Sequence, residues 1–434
     1  MDATGIWVLV LTFVILLSIG VPISYSLGIS ATATILVSLP PLAAFTTIAQ
    51  RMATSLDSFT LLAIPFFILA GQLMNKGGIA MRLIDFAKVL VGRLPGGLAF
   101  VNIMANMLFG AISGSSVAAA SAIGSIMHPR MVADKYDKGF AAAVNISSAT
   151  TGLSIPPSNV LIVYSLASGG VSIAALFVAG YIPGILTGLA LMAVAATVAY
   201  RRNYPRVEKI GLKNSVLKFL DAIPSLLMLI IVIGGIIGGI FTATEASAIA
   251  VLYAFVLSVI YKEIKLKDLR GILLGTIQTT SIVLLLVAAS MALSWTMSYE
   301  SIPQNVSAGL LGLSDNPFII LMAINLILLL VGIFMDITPA VLIFTPIFLP
   351  VVTTQLGMDP IHFGIILILN LCVGVCTPPV GTVLFVGCSV ADIGIEKVIK
   401  PLIPFFIAMI AVLLLVTYIP DLSLWLPRFF DLVD

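Results

Sequence analysis

Long apolar segments separated by short polar stretches run along the whole chain. A transmembrane helix needs roughly 20 apolar residues to cross the hydrocarbon core of a bilayer. Twelve segments are predominantly apolar: 6–20, 21–39, 59–73, 98–127, 139–168, 173–199, 223–241, 246–260, 272–295, 318–352, 361–390 and 399–418. This pattern predicts an all-α, polytopic membrane protein that crosses the lipid bilayer many times.

The composition supports the same conclusion. Of the 434 residues, 60% are hydrophobic and only 9% are charged, whereas soluble domains carry about 25% charged residues. The net charge of +2, without a basic run interleaved with aromatic residues, argues against nucleic-acid binding. The three cysteines lie in apolar segments without CxxC spacing, and we expect them to be reduced packing residues.

Four of the apolar segments are much longer than one crossing and contain Gly, Ser, Thr or Pro near their middle. Such residues interrupt a helix at membrane depth, where irregular backbone must be buried in protein or line a water-filled cavity. We therefore predict two re-entrant helical hairpins, at about 97–127 and about 317–350. We also predict two broken transmembrane helices, at about 139–170 and about 361–390.

An internal repeat relates these segments. At an offset of 222 positions, Pro156-Pro157 coincides with Pro378-Pro379, and matched Gly, Ala, Pro and Asp residues lie around them without a gap. Chance is the alternative explanation, because coincidences among apolar residues are common. Proline pairs are harder to explain by chance, since proline breaks the helical ladder. We predict two repeats, residues 1–210 and 211–434.

The distribution of basic residues predicts that the repeats are inverted. Cytoplasmic loops of membrane proteins carry an excess of Lys and Arg. If both termini lie on the periplasmic side, 19 of the 21 basic residues fall in inner loops, and only Arg51 and Arg428 fall outside. The first hairpin then enters from the cytoplasm and the second from the periplasm. Inverted repeats with paired broken helices are typical of secondary transporters, whose sites lie near the midplane.

The four interrupted segments carry the candidate chemistry. The hairpins turn within 110–116 and 332–339, and the helices break within 145–159 and 370–382. Unwound carbonyl and hydroxyl oxygens suit a small cation, while the N-termini of half-helices present NH groups to an anion. The alternative is ordinary packing, for which Ser and Thr are common in membrane helices. The GxxxG spacing of the glycines within 234–239 likewise predicts close helix packing.

Asp336 is the one carboxylate placed at a hairpin tip within an apolar segment. Because a carboxylate at membrane depth is energetically costly, we expect it to bind a cation or to close the tip. The alternative is that it caps the following helix. The sequence has no HExxH motif, no phosphate-binding GxxxxGK[ST] motif and no Ser/His/Asp set at membrane depth. We therefore expect a secondary active transporter and not an enzyme.

The sequence resembles the large membrane subunit of the tripartite ATP-independent periplasmic (TRAP) transporters over essentially its whole length. The matching motifs are Gly114-Ser115-Ser116, Ile155-Pro156-Pro157-Ser158, Phe241-Thr242-Ala243-Thr244-Glu245-Ala246, Met335-Asp336 and Cys376-Thr377-Pro378-Pro379-Val380-Gly381. The third motif departs from the family pattern, which more often has proline where Ala243 stands.

The resemblance implies multi-pass insertion in the bacterial inner membrane and uptake of a small organic anion, driven by a sodium gradient. It implies an elevator-type motion of the domain that bears the hairpins. It also implies two partners, a small membrane subunit of the Q type and a periplasmic substrate-binding protein. Substrates of the family include C4-dicarboxylates and sialic acids, and the sequence does not choose between them.

Sodium coupling is also favoured by the residues themselves. Proton-coupled carriers usually place titratable side chains along the path, and this chain offers only Asp336 at a suitable depth. We expect the first sodium site to consist of Gly114, Ser115, Thr151 and Gly152, together with Ser116. We expect the second to consist of Asp336, Thr338, Gly374 and Thr377. The residues expected to contact the substrate anion are Ser116, Ser158, Asn159 and Thr382.

Two other functions stay open on the sequence alone. An ion channel also uses re-entrant loops and backbone carbonyls, although channels usually repeat parallel elements around a pore. An intramembrane enzyme would need a catalytic constellation that we do not find. Saturable, stoichiometric flux would separate a transporter from a channel, and product formation would reveal an enzyme.

Overall fold

The structure, a computed structural model, describes residues 4–205, 211–312, 314 and 316–433, with Leu212 and Leu311 described by their backbone only. In this part of the chain all regular structure is helical, and eight helices are long and apolar enough to cross a membrane. The helices α1–α20 span, in chain order, Thr4–Ser18, Ile23–Ser38, Pro41–Ser55, Ala63–Lys76, Ile79–Val91, Gly97–Ser113, Ser116–Ala133, Lys138–Ala149, Asn159–Ala167, Ile173–Arg202, Leu212–Ile237, Ala243–Ile260, Leu266–Tyr299, Ile302–Leu311, Pro317–Phe334, Ile337–Thr354, Pro360–Gly374, Thr382–Ala391, Ile395–Tyr418 and Asp421–Phe429. The predicted fold class, an all-α multi-pass membrane protein, is confirmed.

The interruptions of the two repeats coincide at the offset of 222 positions. Hairpin α6–α7 turns at Gly114-Ser115, and hairpin α15–α16 turns at Met335-Asp336, within one residue of the matching position. The broken helix α8–α9 is interrupted over 150–158, where it contains the short 3-10 helix Thr151–Leu153, and α17–α18 is interrupted over 375–381. A short helix precedes each hairpin, and a long helix follows each broken one. The helix interruptions therefore fall within the ranges 97–127, 139–170, 317–350 and 361–390.

The two repeats run in opposite directions through the fold. α8 begins beside the start of α19, since a Cβ atom added at Gly139 would lie 2.6 Å from the carbonyl oxygen of Lys397. α17 begins instead beside α9, where the Tyr164 hydroxyl donates a hydrogen bond to the carbonyl of Pro360. The C-terminal parts of α8 and α17 meet between these two places. The broken helices therefore enter the fold from opposite sides, as an inverted repeat requires.

The helices form two packed groups. α4 packs against α12, and α13 packs against α2, α3 and α4, so that these helices form a scaffold with α1 and α11. The second group contains the hairpins, the broken helices, α10, α19 and α20. Every residue of α17 from Ile361 onwards and every residue of α8 after Lys138 is buried. The scaffold meets the second group where α4 contacts α6 and where α13 contacts α16.

Some expectations differ from the structure. α11 occupies Leu212–Ile237, whereas the sequence pattern placed it at 223–241. The close packing predicted for the glycines within 234–239 is present at Gly235, where a Cβ atom would lie 2.3 Å from the ring of Phe241 just beyond α11, but not at Gly234. A Cβ atom at Gly234 would meet no atom within 4 Å, and Gly239 has φ +66° beyond the end of α11. The predicted boundary between the repeats at residue 210 lies outside the described residues.

The loop before α12 is fixed by a capping box. The Thr242 hydroxyl accepts a hydrogen bond from the Glu245 NH at 3.3 Å, and the Glu245 carboxylate accepts one from the Thr242 NH at 2.8 Å. Such reciprocal bonds satisfy two NH groups at a helix start. The loop is therefore held in place by hydrogen bonds although it has Ala243 where the family pattern has proline.

Candidate functional site

The tip of the first hairpin combines a glycine in a left-handed conformation with a serine cap. Gly114 has φ +61° and ends α6. A Cβ atom at this position would lie 2.6 Å from Asn159 Nδ2, so that only glycine fits. The extended Ser115 accepts a hydrogen bond from the Ala118 NH at 3.2 Å and caps α7. The tip therefore rests directly against the start of α9.

The tip of the second hairpin carries the carboxylate. Asp336 occupies the N-cap position of α16, yet its side chain accepts no hydrogen bond from the first turn. Its Oδ1 atom lies instead 3.4 Å from the Thr382 hydroxyl, at the start of α18. The residue is solvent-exposed. The carboxylate is therefore accessible to a ligand and is not used as a helix cap.

A pair of glycines joins each hairpin to the broken helix of its own repeat. A Cβ atom at Gly152 would lie 2.4 Å from the Cα atom of Gly110, and one at Gly374 would lie 2.5 Å from the Cα atom of Gly332. These distances leave no room for a methyl group, because Cβ contacts are normally 3.4 Å or longer. The two pairs are related by the offset of 222 positions. In each repeat, backbone therefore packs on backbone where the helix is interrupted.

Both interruptions contain a Pro-Pro step with a cis peptide bond, at Pro156-Pro157 and Pro378-Pro379. Proline has no NH group to donate, and each helix end leaves carbonyl or NH groups without intrahelical partners. Ser158, the N-cap residue of α9, is fully buried, and its hydroxyl has no hydrogen-bond partner among the described residues. The interruptions therefore supply polar groups close to the tips.

A cavity of about 310 Å³ separates the two tips from the scaffold. The first tip contributes 113–118, the second contributes 336–339, and α9 contributes Asn159. α4 and α13 form the opposite wall. Among the described residues that line it, Asp336 is the only charged one, and no Lys, Arg or His is present. Its size falls at the lower end of the range for small-molecule sites, roughly 300–1,000 Å³.

The residues predicted as ligands separate into two layers. Those that line the cavity are Gly114, Ser115, Ser116, Asn159, Asp336 and Thr338. The others lie beneath it or beside it: Thr151, Gly152, Ser158, Gly374, Thr377 and Thr382. The Thr377 hydroxyl donates to the carbonyl of Val373 at 2.9 Å. The Thr151 side chain does not line this cavity and faces a separate buried one between α17 and α10.

Sequence reasoning missed the scaffold wall of the cavity. Gln72 and Asn75 on α4 and Thr279 on α13 line it opposite the tips. Gln72 and Asn75 make no side-chain hydrogen bond with another described residue, so that their amide groups face the cavity unpaired. The sequence does contain a sign of this wall, since the two amide residues lie at the end of an otherwise apolar segment, three positions apart. This spacing places both side chains on one face of a helix.

Buried asparagines tie each hairpin to its broken helix. Asn106 Nδ2 lies 3.1 Å from Asn145 Oδ1 and 2.8 Å from Ser148 Oγ. In the second repeat, Asn370 Nδ2 donates to Asn325 Oδ1 at 2.8 Å. Buried amides are stabilising only when they are hydrogen-bonded, so that these contacts fix the relative position of the helices. Each hairpin and its broken helix therefore form one rigid unit.

A second cavity, of about 520 Å³, continues along α4 and α5 away from the tips. It shares Asn75 with the first cavity and reaches Arg82, whose guanidinium stacks on the Tyr261 ring at 3.5 Å and lies 3.3 Å from the Asp221 carboxylate. This end of the molecule carries the basic loops. Asn75 is exposed, whereas Met297, its counterpart at the 222 offset, is only 2% exposed. The second cavity therefore opens towards the basic loops. The position related to it by the internal repeat, around Met297, is packed.

Comparison with known proteins gives matches along almost the whole chain. Residues 10–422 match the family profile described as "Tripartite ATP-independent periplasmic transporter, DctM component". The uncharacterized protein YgiK of Salmonella typhimurium is 58% identical over 96% of both chains. The C4-dicarboxylate TRAP transporter large permease DctM of Pseudomonas aeruginosa is 39% identical over 93% of this chain and 94% of its own. The sialic acid TRAP transporter large permease SiaM of Vibrio cholerae is 39% identical over 96% of both.

Among solved structures, the Alcanivorax borkumensis YdaH transporter has a similar fold. The TM-score is 0.62 over 90% of this chain and 89% of that chain, with 14% sequence identity. Its structure was described as having an unusual topology. At this level of identity the match concerns the fold alone.

Proposed function

This chain belongs to the tripartite ATP-independent periplasmic transporters, as their large permease (DctM) component, and we propose that it couples sodium entry to the uptake of a small organic anion. It is a membrane transport protein and not an enzyme. The proposed substrate is a C4-dicarboxylate or a sialic acid, the classes named for the relatives from Pseudomonas aeruginosa and Vibrio cholerae. The observation that carries the proposal is the cavity at which two inverted hairpin tips meet.

Sodium is proposed to bind where each tip meets the interruption of its own repeat. The first site is assigned to Gly114, Ser115 and Gly152 with the backbone of Thr151, whose side chain faces the separate small cavity, and the second to Asp336, Thr338, Gly374 and Thr377. The support is the pair of matched glycine contacts, which place the interruption of each broken helix against the hairpin arm that leads to the tip of the same repeat. Carbonyl, hydroxyl and carboxylate oxygens are hard ligands suited to a small hard cation.

We propose that the anion binds in the cavity between the tips and the scaffold. None of the described residues that line this cavity has a basic side chain. Helices α7, α9 and α18 begin at Ser116, Asn159 and Thr382, and Ser158 occupies the N-cap position of α9 with its hydroxyl unpaired among the described residues. Helix N-termini present free NH groups and the positive end of the helix dipole to an anion. Bound sodium would supply the remaining positive charge beside the anion. Substrate affinity is therefore expected to depend on sodium concentration.

The proposed setting is the bacterial inner membrane, with both termini on the periplasmic side. A small membrane subunit of the Q type and a periplasmic substrate-binding protein are the proposed partners. The word "tripartite" in the family description supports an assembly of three components. We further propose that the hairpin-bearing group moves against the scaffold as an elevator, because the cavity lies between the two groups. A reporter fused to the C-terminus that became active only in the cytoplasm would contradict the orientation.

The test is uptake into proteoliposomes that contain the chain, its small subunit and its binding protein. Labelled succinate and labelled N-acetylneuraminate are offered separately, and the one that is the substrate should be accumulated only under an inward sodium gradient. The uptake should saturate, which separates a carrier from a channel. Uptake that is equal in potassium and sodium, or that follows a proton gradient alone, would refute the proposal.

The structure is proposed to face the cytoplasm, and a cysteine placed in the second cavity tests this. Ser125 on α7 lines that cavity and is exposed, whereas Ile347, its counterpart at the 222 offset, is only partly exposed. In a background without native cysteines, Ser125→Cys should react with an impermeant maleimide from the cytoplasmic side much faster than Ile347→Cys reacts from the periplasmic side. Equal labelling of the two variants would contradict an inward-facing resting state.

A further inference from the structure

A small buried cavity lies where the two broken helices cross, apart from the substrate cavity. Its volume is about 10 Å³. Thr150, Thr151, Ser154 and Thr187 of the first repeat form one side, and each of them is at most 5% exposed. Cys372, Val373 and Met409 of the second repeat form most of the other side. The cavity is therefore enclosed by both repeats at the centre of the hairpin-bearing group.

The lining residues are related by the internal repeat. Thr150 and Cys372, Thr151 and Val373, and Thr187 and Met409 are each 222 positions apart. The cavity therefore lies on the pseudo-two-fold axis that relates the repeats. One side presents hydroxyl groups, and the side that corresponds to it by symmetry presents sulfur and apolar groups. The two sides of the cavity therefore differ in chemistry although the repeat relates their positions.

The hydroxyl groups present a defined pattern of donors and acceptors. The hydrogens of three of them are used inside their own helices, since Thr150, Thr151 and Thr187 each donate to a backbone carbonyl three or four residues earlier, at 3.2, 2.6 and 2.8 Å. Their oxygens keep lone pairs that can accept. The Ser154 hydroxyl lies beside the Cys372 thiol, which is a weak partner, and it has no other hydrogen-bond partner among the described residues, although the residue is 1% exposed. The cavity therefore offers up to three acceptors and one free donor.

We propose that this cavity holds a single ordered water molecule that joins the two repeats. A water molecule can accept from Ser154 and donate to the threonine oxygens, which satisfies the unpaired hydroxyl. The volume is close to the roughly 10–15 Å³ needed for one water. A sodium ion is disfavoured, because none of the described residues that line the cavity is a carboxylate and a desolvated charge without a partner is costly. The water would hold the broken helices as one unit, so that both tips move together.

A density map at a resolution that shows waters tests the proposal directly. The complex in lipid nanodiscs should show one peak within hydrogen-bond distance of Ser154 Oγ and Thr187 Oγ1, in sodium chloride and equally in choline chloride. A peak present only with sodium would identify a cation and overturn the proposal. Absence of a peak in both salts would show a dry cavity and overturn it as well.

Thermal unfolding of two variants gives an independent test, because a bound water and a dry cavity predict opposite changes of the unfolding midpoint. If water is bound, Ser154→Ala should lower the unfolding midpoint by about 1–3 °C, as expected for a lost buried hydrogen bond. If the cavity is dry, the same change removes an unpaired hydroxyl, and an unchanged or higher midpoint would refute the proposal. Ser147→Ala is the matched control, since this buried hydroxyl donates only to backbone carbonyls of its own helix.

The double variant tests whether the two hydroxyls share one water. Thr187→Val should also lower the midpoint, and adding Ser154→Ala to it should cost little more, because the water is already lost. Fully additive losses would mean that Ser154 and Thr187 do not share a ligand, and would contradict the bridging role.

Discussion

Replacement of Asp336 by asparagine is expected to reduce sodium-driven uptake by about 100-fold or more. The carboxylate is the only charge among the described residues that line the cavity. The amide has nearly the same shape, so that the change removes one negative charge next to the proposed second sodium site. Asp336 is exposed in the empty cavity, but bound sodium and substrate would exclude water from it, and breaking a desolvated ion pair costs about 3–5 kcal/mol, or about two to four orders of magnitude in affinity.

The measurement is the initial rate of uptake as a function of sodium concentration. Asp336→Asn should show a strongly raised half-saturating sodium concentration, while its amount in the membrane and its elution as a single species stay unchanged. Asp57→Asn is the matched control, because Asp57 is exposed and lies outside the cavity. Uptake by Asp336→Asn with the rate and sodium dependence of the unmodified chain would contradict the assigned role.

Gly152→Ala and Gly374→Ala are expected to reduce transport strongly and to a similar extent, although they lie in different halves of the sequence. The new methyl group would lie 2.4 or 2.5 Å from the Cα atom of Gly110 or Gly332. Both neighbours are backbone, which cannot rotate out of the way, so that the hairpin arm has to move by about 1 Å. Overpacking of this kind costs about 1–3 kcal/mol or more, and it separates the tip from the interruption that it faces.

Uptake by either variant should fall at least about tenfold, because a displacement of about 1 Å at a binding site is known to cost this much or more. Size-exclusion profiles separate loss of the site from loss of the fold. Gly271→Ala is the control, since this glycine lies inside α13 and a Cβ atom there would meet no described atom within 4 Å. Full activity of Gly152→Ala or Gly374→Ala would show that the contacts are not needed.

The hairpins and broken helices could be predicted because they depend on strong local signals. Gly114 ends a helix in a conformation that glycine favours, and the two proline pairs cannot continue a helical ladder. The offset of 222 then reinforces each signal with a second copy. The positions of the basic loops predicted that the two repeats have opposite orientations. The hydrogen bond from Tyr164 to the start of α17 agrees with this prediction.

Other features depend on contacts between distant segments and leave little trace in a single sequence. The scaffold wall formed by Gln72 and Asn75 belongs to the cavity only because α4 packs beside the hairpins. The direction of the Thr151 side chain is set by the 3-10 turn at the interruption, where helical periodicity no longer applies. The glycines within 234–239 match a packing motif, but α11 ends at Ile237 and breaks it.

Thermal unfolding of the purified chain at increasing sodium concentration tests the central claim most directly, because it needs neither the substrate nor the partners. A ligand that binds only the folded state stabilises it by RT ln(1 + [L]/Kd), about 2.7 kcal/mol at one hundred times Kd. We predict that the midpoint rises with sodium, not with potassium at equal ionic strength, and that Asp336→Asn and Gly374→Ala weaken the rise. A midpoint that responds identically to both cations would contradict sodium binding at the interrupted helices.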